Sequence, residues 1–220
     1  LRAAAATPGV QVVATMDVIA ERAAAAAQAY GGTPYTSLEA VLDNPAVDAV
    51  LLALPHHLHA PITIQAARAG KHVLVEKPMA LNLAEARQMV AAAESAGIWL
   101  MVGQSTRFQP AVWATKQLIR EGRLGRVRQC IYRRVWFLER LSTDWRYVPE
   151  QCGGLYLPIF ASHDVDMMLW LMEDLPKRVY AVLRSHTTVT DAESDGMICL
   201  ELAGGGIASL AFSLTSRIRQ

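Results

Sequence analysis

Residues 47–54 constrain the fold most, because they form a nearly continuous apolar run that Pro55 ends. A run of this kind is typical of a parallel strand that is buried on both faces. Parallel strands need long crossovers, usually helices, to bring the chain back to the same edge of the sheet. The run therefore predicts an α/β layer with helices packed on the sheet.

The sequence on either side of this run alternates between helix and strand patterns with short turns. Helices are predicted at residues 1–7, 19–30, 59–69 and 82–96, and strands at residues 10–16, 72–75 and 98–102. Thr36 and Glu39 have the spacing of a capping box for a further short helix that reaches Leu42. This alternation predicts a parallel sheet with right-handed crossovers.

After residue 103 the pattern changes to longer strands with fewer helices. Helices are predicted at residues 110–120 and around 163–172, and strands at residues 127–137, 178–186, 197–202 and 207–214. Ser209 and Ser213 alternate with apolar residues in the last strand, which indicates one buried face. The chain is therefore expected to form two domains, residues 1–102 and 103–220, the second an α+β domain with an open, mainly antiparallel sheet.

The composition argues against several classes of protein. A net charge of +1 offers no basic surface for nucleic acid, and no apolar run is long enough to span a membrane. Cys130, Cys152 and Cys199 are odd in number and widely spaced, which indicates a reducing compartment and no zinc site. We therefore expect a cytoplasmic protein, although the start at Leu1 leaves an export signal upstream open.

Lys77 follows the predicted strand at residues 72–75, in the sequence Glu76-Lys77-Pro78. Ligands of open α/β sheets bind beyond the carboxyl ends of the strands, so this ammonium group is expected to point into a ligand crevice. Pro78 restricts the backbone of Lys77 and helps to aim its side chain. The alternative is an ordinary solvated lysine beside a turn.

These residues belong to a set of motifs that resembles the Gfo/Idh/MocA oxidoreductases, the family of glucose–fructose oxidoreductase and inositol dehydrogenase. The most specific match is the stretch AGKHVLVEKPMA at residues 69–80. The other matches are LPHHLH at residues 54–59, Arg107-Phe108, Trp145-Arg146, and Gly153-Gly154 followed by His163 and Asp166. They occur in order over nearly the whole chain.

The resemblance implies a Rossmann-type parallel sheet followed by a domain with an open sheet. It implies an NAD(P)-dependent dehydrogenase that transfers hydride between nicotinamide and a hydroxyl carbon of a sugar, cyclitol or related polyol, without a metal ion. The family's Gly-rich phosphate loop and the central strand before it are absent, as are its last strands and helix. We therefore expect a fragment that is truncated at both ends and whose Rossmann sheet lacks its first strand.

The candidate site also departs from the family. Ile159 stands four residues before His163, where the family commonly has Asp, and Ala161 replaces the usual glycine. Three readings follow: an active but slower dehydrogenase, a catalytically weak or non-enzymatic nucleotide- or sugar-binding relative, and an inactive fragment of the enzyme.

The resemblance assigns residues to the cofactor. Asp17, at the end of the second Rossmann strand, would accept hydrogen bonds from the adenosine ribose and favour NAD over NADP; a helix-capping Asp is the alternative. The other expected cofactor contacts are Leu54, Pro55, His56, His59, Glu76, Lys77, Pro78, Arg107, Trp145 and Arg146. Ordinary loop residues and surface salt bridges are the alternatives for the histidines and arginines of this group.

The expected catalytic residues are Lys77, His163 and Asp166. Lys77 would stabilise a developing alkoxide, and His163 would remove the hydroxyl proton as general base. Asp166 would hold a substrate hydroxyl or orient the base, whereas Asp164 is expected to face solvent. A capping or surface His–Asp pair is the alternative for His163 and Asp166.

The partner expected besides the sugar or polyol substrate is a second copy of the chain. The strands after Asp174 alternate on one side only, and no helix follows that could cover the other face of the sheet. We therefore expect a homodimer or homotetramer formed through the C-terminal sheet.

Overall fold

The computed structural model describes residues 1–217, so residues 218–220 of the predicted second domain lie outside it. Helices and strands alternate through the first hundred residues. The helices are α1 (Arg2–Ala5), α2 (Ala20–Tyr30), α3 (Leu38–Leu42), α4 (His59–Arg68) and α5 (Leu83–Ala96). The strands are β1 (Ala14–Met16), β2 (Thr33–Tyr35), β3 (Ala49–Leu52), β4 (His72–Val75) and β5 (Leu100–Val102). The predicted α/β class is confirmed.

The strands of this part form two separate parallel sheets. Strands β1 and β2 pair in parallel, and β4 lies between β3 and β5 in the other sheet. The Val73 amide donates to Trp99 O and the Gly103 amide to Val75 O, so the pairing advances in the same direction along both strands. No described strand joins the two sheets, and this break falls where the Rossmann order has the absent central strand.

Strand β3 corrects the prediction that the apolar run is buried on both faces. Val50 and Leu52 are buried, whereas Ala49 and Leu51, which alternate with them, are exposed. Side chains alternate across a strand, and in the described residues only one side of β3 is covered by other side chains. Residues 49–54 of the run are all apolar, so composition alone did not reveal this one-sided burial.

The predicted capping box at Thr36 was displaced by one residue. Ser37 is the N-cap of α3: its Oγ accepts a hydrogen bond from the Ala40 amide at 3.2 Å and donates to Glu39 at 2.8 Å. The spacing from Ser37 to Ala40 is the one that a capping side chain needs. The short strand β2 was also missed by the sequence analysis, since Pro34 lies at its centre.

The C-terminal part is built on one mixed sheet. Its helices are α6 (Pro110–Arg120), α7 (Pro149–Cys152) and α8 (Ser162–Met172), and a π-helical turn, Leu157–Ala161, leads into α8. Its strands are β6 (Gln129–Val135), β7 (Pro176–Arg184), β8 (Asp195–Leu202) and β9 (Ile207–Ser213), in the order β6-β9-β8-β7. Only β6 and β9 pair in parallel, so the predicted open, mainly antiparallel sheet is confirmed.

The two faces of this sheet differ. The inner face, which includes the buried residues Leu210 and Phe212 of β9, packs with residues of the π-helical turn and α8 into one apolar core. The outer face is open, and Ile131 and Tyr180 on it are 71% and 70% exposed. The predicted one-sided alternation of the last strand is therefore confirmed.

The chain divides into two compact units. The first comprises Leu1–Leu52, Pro61–Leu74 and Arg87–Met101, and the second comprises Ala53–Ala60, Val75–Ala86 and the residues from Val102 onward. The loops that follow β3 and β4 therefore belong to the second unit, together with α8 and the mixed sheet. The domain boundary at residues 102 and 103 stays a prediction. No helix in the described residues has the length and apolarity that a bilayer crossing requires.

Candidate active site

Lys77 lies directly after β4, in the second unit, and its ammonium group has a neutral partner. Its Nζ donates to the main-chain oxygen of Ile159 at 2.6 Å, in the turn before α8. Glu76 is exposed, and its Oε2 accepts from the Lys77 amide at 3.2 Å. Burial lowers the pKa of Lys77, and the charge of Glu76 partly offsets this effect. The peptide bond between Lys77 and Pro78 is cis.

His163 is the second residue of α8, and a glutamine holds its ring. Its Nδ1 lies 2.8 Å from Oε1 of Gln104, which follows β5. The Gln104 Nε2 donates to the main-chain oxygen of Ser162 at 3.3 Å. Burial, and next the positive charge of Lys77, lower the pKa of His163. The imidazole is therefore held neutral near neutral pH, as a general base must be.

Asp166 contacts Arg107 and not the imidazole. The Arg107 Nε and Nη2 donate to the two carboxylate oxygens at 2.7 and 2.5 Å. This bidentate pair engages both oxygens of Asp166 and two of the three guanidinium nitrogens. The structure thus brings together two predicted site residues, but as partners of each other, and Asp166 does not orient His163.

Asp164 corrects the expectation that this residue faces solvent. It is fully buried, and it accepts hydrogen bonds from Arg134 of β6 and from the Tyr156 hydroxyl, the latter at 2.6 Å. Burial and the Asp164 carboxylate raise the pKa of Tyr156, so this hydroxyl remains a donor. The first turn of α8 packs against the sheet on this side, which is why the side chain points inward.

The histidines of the loop after β3 have structural partners. His56 Nδ1 lies 2.8 Å from Cys152 O, and the ring meets Trp145 edge-on at 4.7 Å. Burial lowers the pKa of His56 to about 4. His59 is fully buried, with Nδ1 at 2.7 Å from Pro78 O and Nε2 at 3.0 Å from Leu54 O.

These contacts tie the loop after β3 to the Lys77–Pro78 turn. Leu54 and Pro78 contribute their main-chain oxygens to His59, and Pro55 O accepts from the Leu58 amide. Among the described residues, no group of three His, Cys, Asp or Glu side chains has the arrangement of a metal site.

Trp145 and Arg146 lie in a 3-10 turn of the second unit. The Arg146 guanidinium stacks over the Trp145 ring at 4.3 Å and donates to Ser142 Oγ and Thr143 Oγ1 at 3.0 and 2.5 Å. Its charge acts on both Lys77 and His56, lowering the pKa of each. The pair therefore offers an aromatic surface and a cation close to Lys77.

Asp17 lies at the end of β1, in the first unit. Its Oδ1 accepts from the Ile19 amide at 2.9 Å, so the carboxylate also serves the turn before α2. Its Oδ2 has no hydrogen-bond partner among the described residues and remains available as an acceptor. The capping alternative and the ribose-binding prediction are thus compatible, because they use different oxygens.

Sequence reasoning missed Gln104, Arg134 and Tyr156. Gln104 follows β5 as Lys77 follows β4, so the same strand-end argument would have found it. Arg134 shares its side of β6 with Tyr132 and faces the core, and an arginine at such a position indicates a buried anionic partner. Tyr156 carries no such signal, since a tyrosine in an apolar run usually packs without further function.

Two models of one family match this chain over nearly its full length. The N-terminal model, an oxidoreductase family with an NAD-binding Rossmann fold, matches residues 1–104. The C-terminal domain model of the Gfo/Idh/MocA proteins matches residues 112–220.

Individual proteins are similar to both parts together. The chain is 36% identical, over 96% of its length, to 1,5-anhydro-D-fructose reductase of Ensifer adhaerens. Its structure matches aldose-aldose oxidoreductase of Caulobacter crescentus, solved with glycerol, over 94% of this chain with a TM-score of 0.86 and 29% identity. It also matches levoglucosan dehydrogenase, solved with NADH and levoglucosan, over 96% of this chain with a TM-score of 0.86 and 28% identity.

The chain spans only part of each of these proteins: 64% of the reductase, 64% of the oxidoreductase and 60% of levoglucosan dehydrogenase. The similarity covers both the parallel sheets and the mixed sheet, and it includes the residues around Lys77 and His163. The chain belongs to the Gfo/Idh/MocA family of oxidoreductases.

Proposed function

We propose that this protein is an NAD-dependent dehydrogenase or reductase that acts on a hydroxyl carbon of a sugar, cyclitol or related polyol. One observation carries the proposal: within one unit, Lys77 Nζ donates to a main-chain oxygen of the turn that leads into the His163 helix, and burial together with the positive charge of Lys77 lowers the pKa of His163. Lys77 binds the oxygen of Ile159, one helical turn before His163. A proton acceptor and a charge stabiliser carried by the same unit suit the oxidation of an alcohol.

Each of the two units, taken by itself, holds residues that fit part of NAD. Asp17 has a free carboxylate oxygen at the carboxyl end of β1, where an adenosine ribose would find its acceptor. Glu76, Lys77 and Trp145 supply an acid, a cation and an aromatic face for the nicotinamide end. His59 and Arg107 are committed to other protein groups, so they support the site rather than bind the cofactor directly. Bound NAD would accept the hydride that leaves the carbinol carbon.

The protein's own side chains would handle the proton and the charge. With its Nδ1 on Gln104, His163 has Nε2 left to take the hydroxyl proton of the substrate. Lys77 would donate a hydrogen bond to the same oxygen and stabilise the negative charge that develops there. Its lowered pKa makes the ammonium a stronger donor than an ordinary solvated lysine. Asp166, held by Arg107, would orient α8 and not the reacting groups.

The substrate class rests on the relatives. The names of the similar proteins include an anhydrofructose reductase, an aldose-aldose oxidoreductase and a levoglucosan dehydrogenase, all of which name sugars. Incubation of the complete protein with NAD and a panel of sugar and polyol stereoisomers, followed by NADH fluorescence, tests the proposal. We expect turnover with at least one stereoisomer. Nucleotide binding without turnover on the whole panel would support the non-enzymatic alternative instead.

Asp17 supports a preference for NAD over NADP. A carboxylate at the ribose would repel the 2′-phosphate of NADP. Replacement by Ser should relax the preference by at least about tenfold, the size of one hydrogen bond to a charged group. Titration of NADH and NADPH fluorescence against wild type and Asp17→Ser measures this, and a wild type that already prefers NADPH would contradict it.

The open face of the mixed sheet supports self-association, as a homodimer or homotetramer. Several apolar side chains lie together there with large exposed areas, and a patch of this kind marks an interaction site. Ile131→Glu should shift the complete protein toward the monomer in light scattering at micromolar concentration. Leu83→Glu, an exposed residue of α5, is the matched control. A wild type that is strictly monomeric would reject the proposal.

The compartment is also part of the proposal. Cys130, Cys152 and Cys199 are all free thiols in the structure, as suits the cytoplasm. Fractionation of cells that express the native gene, with immunodetection of the protein, tests this location.

A further inference from the structure

The contact between Gln104 and His163 determines which amide atom of Gln104 faces the imidazole and which ring nitrogen of His163 carries the proton. The amide nitrogen of Gln104 donates to Ser162 O, so its oxygen end faces the imidazole. An amide oxygen only accepts hydrogen bonds. The ring nitrogen at 2.8 Å from it, Nδ1, must therefore carry the proton, and in the neutral ring the lone pair lies on Nε2.

No described carboxylate performs this task. Asp166 gives both oxygens to Arg107, and Asp164 gives both to Arg134 and Tyr156. Ile159, at the position where the family commonly has Asp, is buried in the apolar core and contacts the site only through its main-chain oxygen. The orientation of the ring is thus left to a neutral amide.

The geometry points to Gln104 as the positioning residue that fixes the tautomer of His163 and presents Nε2 to the substrate. This inference rests on the proposed function, in which His163 is the general base. Gln104 reaches the ring from the loop after β5, and Ser162 O holds the amide so that it cannot turn over without losing a hydrogen bond. The result is a base oriented by a group that never carries a charge.

A neutral partner has a consequence for basicity. A carboxylate would stabilise the imidazolium, whereas an amide oxygen stabilises it much less. The charged groups that act on His163 are Lys77 and Glu76 from the turn after β4, Asp164 from α8 and Arg134 from β6. Gln104 adds no charge to this set. His163 therefore stays unprotonated, and ready to accept a proton, to lower pH than it would beside a carboxylate.

Two substitutions of Gln104 separate orientation from charge. Gln104→Leu removes the acceptor while keeping a similar volume. We expect kcat/KM to fall roughly 10- to 100-fold, because the His163 ring loses the contact that holds it in a reactive orientation. NAD affinity should stay within about twofold of the wild-type value. Gln104→Glu places a carboxylate at the ring, and the kinetic pKa of the base should rise by about one unit or more.

Gln109→Glu is the matched control for the added charge, since Gln109 lies at the exposed start of α6. It should leave the pH profile unchanged. Ile159→Asp is a poorer test, because it would bury a carboxylate in an apolar core and destabilise the fold. If Gln104→Leu proves poorly folded by circular dichroism, Gln104→Met, which is unbranched like glutamine, takes its place.

Nitrogen-15 NMR of the histidine ring provides a readout that does not depend on turnover. The wild type should show the Nδ1–H tautomer for His163, assigned by its loss in His163→Ala, and Gln104→Leu should show a mixture. An Nε2–H tautomer in the wild type, or identical ring signals and kcat/KM in Gln104→Leu, overturns the inference. A His163→Ala enzyme that keeps its activity and pH profile would overturn the proposed base, while the ring signals still decide the role of Gln104.

Discussion

Lys77 and Lys116 are both withdrawn from water, but they differ in what surrounds the ammonium group. Lys116 of α6 is 2% exposed, and its Nζ contacts Glu173 Oε1 at 2.6 Å and Trp170 O at 2.5 Å. It lies over the Trp170 ring as well, at 5.2 Å. Among the described residues, the Lys77 Nζ has only the oxygen of Ile159 as a hydrogen-bond partner, and burial lowers its pKa.

The difference separates a structural lysine from a functional one. Lys116 binds the carbonyl of the last turn of α8 and the carboxylate that follows it, so its donors are used to hold α6 against α8. Lys77 is partly desolvated, its Nζ contacts a main-chain oxygen and not a carboxylate, and the charge of Glu76 offsets only part of the effect of burial. Burial of a charge is costly unless another group uses it. A developing alkoxide on a substrate would supply the missing partner.

Substitution of each lysine in turn by Met tests this contrast most strongly. Met keeps the length of the side chain but removes the charge. Lys77→Met should lose roughly 100-fold or more in turnover, because a group that stabilises the transition state is gone. Lys116→Met should turn over nearly as well as wild type, and its NAD affinity should be unchanged.

Steady-state kinetics on the complete protein, with nucleotide affinity from fluorescence, makes this measurement. If Lys77→Met retains wild-type turnover, the lysine is an ordinary loop residue and the proposed role fails. Equal losses in the two variants would mean that both act through the fold.

The sequence predicted the position of Lys77 but not the groups that contact its ammonium. The strand-end rule located it because β4 is short, apolar and closed by Glu76-Lys77-Pro78, and the family motif includes these residues. The same rule applied to β5 would have located Gln104. The sequence placed His163 on a helix, but it could not show that a glutamine from another loop, rather than Asp166, meets its ring.

The two acids of α8 show why the remaining contacts were not predictable. Asp164 and Asp166 are two residues apart, so they lie on different sides of the helix. Which side is buried depends on the packing of α8 against β6 and α6, and this is a tertiary property. Asp166 pairs with Arg107 and Asp164 pairs with Arg134, and these partners are 59 and 30 residues away in the chain. Periodicity alone made the more buried acid look like the solvated one.

A smaller effect is expected on stability when Lys116 is shortened. Lys116→Ala should lower the free energy of unfolding by about 2 kcal/mol, at the low end for truncation of a long buried side chain. Lys116→Met should lose less, because it keeps the packing of the stem against Trp170. Urea unfolding followed by circular dichroism measures both values. If Lys116→Ala is as stable as wild type, Lys116 does not hold α6 and α8 together, and the contrast with Lys77 weakens.

The smallest expected effect is a pH dependence of stability that distinguishes the two lysines. Burial lowers the pKa of Lys77 below its ordinary value of 10.5, so folding disfavours its charged form. Between the lowered pKa and 10.5 the unfolded state binds more protons than the native state, and stability therefore rises with pH through this window. The charge on Lys77 costs stability at neutral pH, and this cost disappears as pH approaches 10.5.

Lys77→Met should therefore have a larger free energy of unfolding than wild type at neutral pH, and this difference should shrink as pH rises. Urea unfolding of both proteins at several pH values gives this difference in unfolding free energy, in which the titration of all other groups cancels. Lys116→Met is the control, because it removes a lysine that has a carboxylate partner. If this difference stays constant or grows with pH, folding does not disfavour the ammonium of Lys77. The ammonium would then gain little from contact with a developing alkoxide.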